Sequence, residues 1–319
     1  MSTQTQTAPP LVRYDVVDGV ANIVINRPEA FNCYDWDTTE LLRAYFRRAI
    51  ADDRVQGLVL GGEGKAFIVG ADLDFFVNSI EARELWRIVS AVEYVHDILL
   101  TVDHSPKPIV ARVGGLALGG GFEFALACDY VVASPAATFG FPETSVGVFP
   151  CSGGTQRTSR LIGVGLAKWL ILTGKVLSAR QALNMGLIHQ IVPADQLDAT
   201  CRAIALGGKC PPRNLQRTSQ LAALERFFDQ NRVDELYAGT ADTHGDAALA
   251  RAMKSVASKA PIALRVAERL IEAGSRMSVD EGSKMETAHV MQIFETEDAR
   301  RGLKFRLNGG LGQPAFAGR

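Results

Sequence analysis

The sequence is short of the features that would tie it to a membrane, a metal or a disulfide frame. No apolar run reaches the ~20 residues that a helix needs to span a bilayer. The opening MSTQTQTAPP lacks the positive-then-apolar order of an export signal, and residues 1–10 read as a loose tail. Five cysteines, Cys33, Cys128, Cys151, Cys201 and Cys210, form no CxxC pair, and the five histidines form no HxxxH pair. A scattered, odd set of thiols is the pattern of a reduced, cytoplasmic protein, so neither a disulfide nor a bound metal is expected. Excess charge is missing too. Thirty-four Lys and Arg against 35 Asp and Glu leave a net charge of −1, which makes no case for nucleic acid or an anionic membrane as partner. The chain's glycine run lacks the Lys-Ser or Lys-Thr of a phosphate loop and the G-x-G-x-x-G spacing of a dinucleotide site, and no G-x-S-x-G marks a serine hydrolase.

What the chain does have is concentrated between Gly114 and Arg157. Two glutamates, Glu123 and Glu143, lie there in uncharged surroundings, GLALGGGFEFALACD and TFGFPETSVGVFPCSGGTQR. Burying a carboxylate in such company is costly unless it is partnered, and burial raises its pKa. Gly119, Gly120 and Gly121 precede FEFALAC, which reads as the start of a buried helix. Free N–H groups at a helix start favour an anion or a developing oxyanion, whereas the plainer reading of the glycines is a tight strand-to-helix turn. Pro142 fixes the backbone ahead of Glu143, for which a turn carboxylate held by backbone N–H groups is the alternative.

Taken together, LALGGGFE, the FPE about twenty residues on, GVFPCSGGTQR, KAFIVGADL over Lys65–Leu73 and VINRPEAFN resemble the crotonase (enoyl-CoA hydratase/isomerase) superfamily. The likeness covers roughly Val12 to Leu206 and resumes near Ala260. It implies an α/β fold, a crotonase-type spiral of ββα units over residues 11–207, followed by a C-terminal helical region over 208–319. It also implies reversible hydration of a 2-enoyl-CoA, with Glu123 activating water, Glu143 delivering the α-proton, and the amides of Ala71 and Gly120 as the oxyanion hole. By the same resemblance Ala30, Lys65, Ala66, Asp72 and Gly119 contact the acyl-CoA. The substrate carries the coenzyme A, no further cofactor is called for, and the assembly is a homotrimer or homohexamer. From the residues alone, Asp72 also reads as a helix N-cap and Lys65 as a solvated turn lysine.

Along the chain, Tyr14 to Ile25 reads as a hairpin turning at Asp18-Gly19, Trp36 to Ile50 and Glu84 to Leu100 as helices, and Val55 to Leu60, Ala66 to Val69 and Ile109 to Val113 as strands. Helices are expected over Leu166–Leu172, Ser178–Met185 and Ile262–Ala273, with another starting at Ser278, and a strand over Leu187–Val192. Met285, Ala288, Met291 and Phe294 recur as a helical stripe that reads as core. His96 reads as a packed histidine. Leu116, Leu118, Phe122, Phe141 and Phe149 read as core or as the wall of an acyl pocket. Cys151 has no histidine near it in sequence to make it a nucleophile.

A polar stretch over about residues 209–250, with one helix expected from Leu221 to Phe228, departs from the compact hydratase layout and resembles the 3-hydroxyisobutyryl-CoA hydrolase branch. Hydrolysis of an acyl-CoA, double-bond isomerisation and a non-catalytic CoA-binding role are therefore the rivals. Keeping both glutamates favours hydration over each.

Overall fold

The structure, a computed structural model, describes residues 9–319, so all but the last two residues of the expected tail lie outside it. Strands β1 (Val12–Val17) and β2 (Val20–Ile25) pair antiparallel as the expected hairpin. Asp18 and Gly19 turn it at φ 47° and 79°, the left-handed pair that matches the twist of the strands. A 3-10 turn (Pro28–Ala30) leads to α1 (Trp36–Ala51), capped by Asp35 accepting from Thr38 N.

Next come β3 (Gly57–Gly62), β4 (Ala66–Val69), α2 (Leu73–Glu81) and α3 (Leu85–Asp103). The pattern repeats with β5 (Ile109–Val113), β6 (Leu116–Leu118) and α4 (Gly120–Ala127). It repeats again with β7 (Tyr130–Ala133), β8 (Thr138–Gly140), a 3-10 turn (Glu143–Ser145), α5 (Gly154–Ile162) and α6 (Val164–Thr173). Strand β9 (Val176–Ser178), α7 (Ala179–Asn184), β10 (Gln190–Ile191) and α8 (Leu197–Ala205) follow. The remainder is helical: α9 (Ser219–Gln230), α10 (Val233–Ala238), α11 (Ala247–Val256), α12 (Pro261–Gly274), α13 (Val279–Phe294) and α14 (Glu297–Leu307).

Each repeat gives its first strand to a six-stranded sheet ordered β1-β2-β3-β5-β7-β10 and its second to a four-stranded sheet ordered β4-β6-β8-β9. Successive repeats pair in parallel in both sheets, β3 with β5 and β5 with β7, β4 with β6 and β6 with β8. The chain therefore advances as a spiral of ββα units, the expected class. Both faces of the larger sheet are covered, which is why its strands are so apolar. On one face Val20, Val59, Val110 and Val132, one from each of four strands, pack under Leu197, Cys201 and Ile204 of α8.

Two expectations need correction. The strand foreseen over Leu187–Val192 shrinks to Gln190–Ile191, because Gly186 at φ 70° turns the chain and Leu187 and Ile188 drop into the core. The stretch after residue 209 holds three helices where one was foreseen. Helix α10 has only six residues, too few to show a periodic stripe, and is held by a capping interaction between Arg232 N and Glu235.

A buried charge fastens this segment to the core. Lys168 of α6 is 1 % exposed, and its Nζ lies 2.8 Å from Glu268 Oε1 and 3.0 Å from Glu272 Oε1 on α12. Glu268 Oε1 also accepts from Val233 N of α10 at 2.9 Å. Removing one partner of a buried pair leaves the other uncompensated, at a cost of about 3–5 kcal/mol. Lys168→Met should lower the urea midpoint accordingly, and Lys168→Met with Glu268→Leu should regain much of the loss.

Candidate active site

The glycine run is shaped by what presses on it. Gly119 sits at φ 56°, and a Cβ there would come within 2.9 Å of Glu143 Oε1. A Cβ on Gly121 would lie 1.9 Å from the Ile68 carbonyl oxygen, so α4 lies directly against β4. This close approach places the first N–H of α4, that of Gly120, beside the segment after β4. There Tyr34 and Ala71 form a parallel bridge: Tyr34 N donates to Gly70 O at 3.0 Å and Asp72 N to Tyr34 O at 2.9 Å. The bridge uses the groups flanking Ala71 and leaves its own N–H out. Among the described residues neither Ala71 N–H nor Gly120 N–H has an acceptor.

Both amides line one cavity of about 450 Å³, and Glu123, Glu143 and Tyr34 line it too. Glu123, on the first turn of α4, is 2 % exposed, and its Oε1 accepts from Ser152 N at 2.8 Å and Gly154 N at 2.7 Å. Burial raises its pKa to about 7, against the pull of those two amides and of the Arg157 guanidinium. Glu143 opens a 3-10 turn. The residue is part-exposed, yet its Oε2 is shielded and has no hydrogen-bond partner among the described residues. Burial, and then the charge of Glu123, lift its pKa well above the carboxylate range. One proton shared by the two therefore rests on Glu143, the carboxyl with fewer donors.

Of the other residues singled out, Asp72 and Gly119 also line the cavity, whereas Ala30, Lys65 and Ala66 do not. Asp72 caps α2, its Oδ1 accepting from Asp74 N at 3.0 Å. Ala66 is buried in β4, Lys65 is exposed at the turn before it, and Ala30 ends the 3-10 turn nearby; Asn32 Nδ2 ties these segments by donating to Ala66 O and Glu63 O, each at 2.8 Å. Leu118 and Phe149 are cavity wall, but Phe122 and Phe141 stack on each other in the core, centroids 4.9 Å apart, and Leu116 lies outside the lining. Cys151 lines the cavity with its thiol pushed well above its ordinary pKa by burial, which removes the thiolate a nucleophile needs. His96 is buried and held neutral, its pKa lowered to about 4 by burial.

Two residues escaped the sequence reading. Tyr34, between the expected hairpin and the first expected helix, faces Gly120: a Cβ there would meet its hydroxyl oxygen at 2.2 Å. Glu286, fully buried on α13, accepts from Gly153 N at 2.6 Å. The buried face of α13 is Gly282, Ser283, Glu286, Val290, Ile293 and Phe294, so the foreseen stripe of Met285, Ala288 and Met291 points largely outward. Choosing the methionines over the small residues set the helix in the wrong phase and hid the glutamate.

A sequence profile described as Enoyl-CoA hydratase/isomerase matches residues 20–317. The chain belongs to the enoyl-CoA hydratase/isomerase family. Within that family it is 30 % identical over 284 residues to the short-chain-enoyl-CoA hydratase of Clostridium acetobutylicum, a match covering 88 % of each chain. It is 35 % identical over 236 residues to the crotonyl-CoA hydratase of Syntrophomonas wolfei, covering 71 % of this chain and 85 % of that one. In fold it is similar to a crystal structure of an enoyl-CoA hydratase from Rhodobacter sphaeroides, with a TM-score of 0.84 at 22 % identity over 97 % of this chain and 93 % of the other. Like its enoyl-CoA hydratase relatives, this family member is an enzyme of the hydratase-like lyase kind. Among the described residues no helix is long and apolar enough to cross a membrane.

The glycines and the acids give two predictions. Gly121→Ala drives a Cβ into the backbone of β4 and should cost about 3 kcal/mol or more in stability. Gly120→Ala meets a side chain, the Tyr34 hydroxyl at 2.2 Å with ring carbons behind it at 3.0 and 3.1 Å, so it should cost less than a clash with backbone, and Tyr34→Phe should return part of it; denaturant midpoints of the three variants check both. Folding raises the pKa of Glu123 from 4.5 to about 7, so between those values the folded chain keeps a proton that the unfolded chain has released. Stability from this group is thus lost as pH rises through that window. The melting temperature should fall across it, and fall less steeply in Glu123→Gln.

Proposed function

We propose that this enzyme adds water reversibly across the 2,3 double bond of a 2-enoyl-CoA thioester. The observation that carries the reading is one cavity holding two acceptor-free amides, Ala71 and Gly120, and two carboxyls that differ in proton affinity, Glu123 and Glu143. In the proposed mechanism the thioester oxygen lies between the amides, which draw electron density from the β-carbon; each such donor is worth about 3 kcal/mol in an oxyanion hole. Ionised Glu123, oriented by Ser152 and Gly154, takes a proton from water as its oxygen attacks the β-carbon. Protonated Glu143 gives its proton to the α-carbon, collapsing the enolate to the 3-hydroxyacyl thioester. The two carboxyls end with their proton exchanged, and dehydration runs the same steps backwards.

Tyr34 supports the site differently. Burial raises its pKa well above 10, so its phenol stays a neutral donor beside the two acids. Lys65, with Ala30 and Ala66, is assigned to the coenzyme A portion, outside the acid pair's cavity. The same reading carries a cytoplasmic homotrimer or homohexamer.

With crotonyl-CoA as substrate, the conjugated thioester absorbance should disappear without release of free thiol. Glu123→Gln and Glu143→Gln should each lower kcat on the order of 10²–10⁴-fold with the fold intact by circular dichroism. Thiol release from a saturated 3-hydroxyacyl-CoA at a comparable rate would transfer the assignment to a hydrolase, and full activity in Glu123→Gln would sink the two-acid scheme.

A further inference from the structure

The turn Ser152–Gly153–Gly154–Thr155 is gripped from two sides. Glu123 Oε1 takes the amides of Ser152 and Gly154, and between them Gly153, at φ 95°, gives its N–H to a different acceptor, Glu286 Oε2, at 2.6 Å. Glu286 Oε1 bonds the Thr155 hydroxyl, which also accepts from Gln156 Nε2 at 2.8 Å. The Ser152 carbonyl accepts from Arg157 Nη1 at 3.2 Å, and Arg157 is itself paired with Asp103 of α3. Four elements, α3, α4, α5 and α13, thus converge on four residues of backbone.

We propose that Glu286 is a positioning residue for Glu123, bracing the far side of this turn so that the Ser152 and Gly154 amides stay aimed at the catalytic carboxylate. Three observations support it. The donors alternate strictly between the two glutamates, so a shift of Gly153 moves both amides that hold Glu123. Glu286 is fully buried and lies outside the cavity lining, so it does not touch the substrate. Among the described residues no cation pairs with it: Arg157 is committed to Asp103, and His96, whose Nε2 is 3.6 Å from Glu286 Oε2, is neutral.

The groups facing Glu286 are His96 from α3, Glu123 from α4, Arg157 and Arg160 from α5, and Cys151 before the turn. Burial, then the charge of Glu123, push its pKa to about 8, so near neutrality it is a carboxylic acid that accepts from Gly153 without adding a second full charge beside Glu123. That is the difference between a brace and a competitor.

The role of Glu123 in turnover rests on the hydration reading; the bracing itself does not, and the experiment reads them separately. Carbon-13 carboxyl NMR of the unliganded protein, with Glu123 assigned through Glu123→Gln, gives its titration midpoint, and crotonyl-CoA hydration gives kcat and KM. Glu286→Leu keeps bulk but leaves Gly153 N–H buried without an acceptor. It should raise the Glu123 midpoint by about one pH unit as the stabilising amides drift off. It should lower kcat on the order of tenfold to a hundredfold while KM stays within about threefold. Glu286→Gln, neutral and still an acceptor, should leave both near wild type. Should the leucine variant not fold, Glu286→Asp, one methylene short of the turn, carries the same two readings in smaller measure. A folded Glu286→Leu or Glu286→Asp with an unmoved midpoint and kcat reduces Glu286 to packing and overturns the proposal, as does Glu286→Gln proving as damaging as leucine. A wild-type protein inert toward crotonyl-CoA removes the hydration reading alone, and the midpoint still decides the brace.

Discussion

Dry carboxyls are the constraint around which this molecule is arranged. Glu123, Glu143 and Glu286 lie near one another, and each has its proton affinity raised first by burial; for Glu143 and Glu286 the charge of Glu123 raises it further. Such a cluster persists only if donors reach it, and the donors are mostly main-chain. The glycines exist for that purpose. Gly119 and Gly121 let α4 close on β4 and bring Glu123 to the turn, while Gly153 adopts a left-handed conformation that lets adjacent amides reach different acceptors. The unequal supply of donors, two for Glu123 and none for Glu143 Oε2, is what separates two side chains of identical chemistry.

Much of this was legible before any coordinates. Apolar company around Glu123 and Glu143, the glycine run and the hairpin at Asp18-Gly19 are local signals, and local signals survive in a single sequence. Serine caps at Ser178 and Ser278 were equally plain. What stayed hidden depends on distance along the chain. Glu286 bonds a residue 133 positions away, and no pattern within a helix reports that. Its helix was misphased because small residues, not methionines, face the core: glycine and serine are buried where α13 meets the turn. Tyr34 was passed over for a related reason, since its neighbours in sequence form a turn and its neighbours in space are Gly120 and Ala71.

The segment after residue 209 shows the opposite failure. Its sequence is polar and departs from the compact layout, yet Leu224, Phe227 and Phe228 of α9 and Val233 and Leu236 of α10 are buried. Lys168 reaches from α6 into the joint between α10 and α12. A lone lysine among apolar residues in α6 gives no hint of its partner a hundred positions on. Buried ion pairs of this sort fix which surfaces meet more than how tightly they hold.

The two free amides of Ala71 and Gly120 belong to the peptide backbone, and almost any residue compatible with the local conformation presents the same group. Substitution can therefore rewrite the side chains around this cavity while leaving half of its polar equipment untouched. Under the proposed mechanism, a lineage built this way is free to wander far in sequence while keeping both amides. Relatives only three-tenths identical to this chain over 88 % of its length are what such inheritance through the main chain would leave behind.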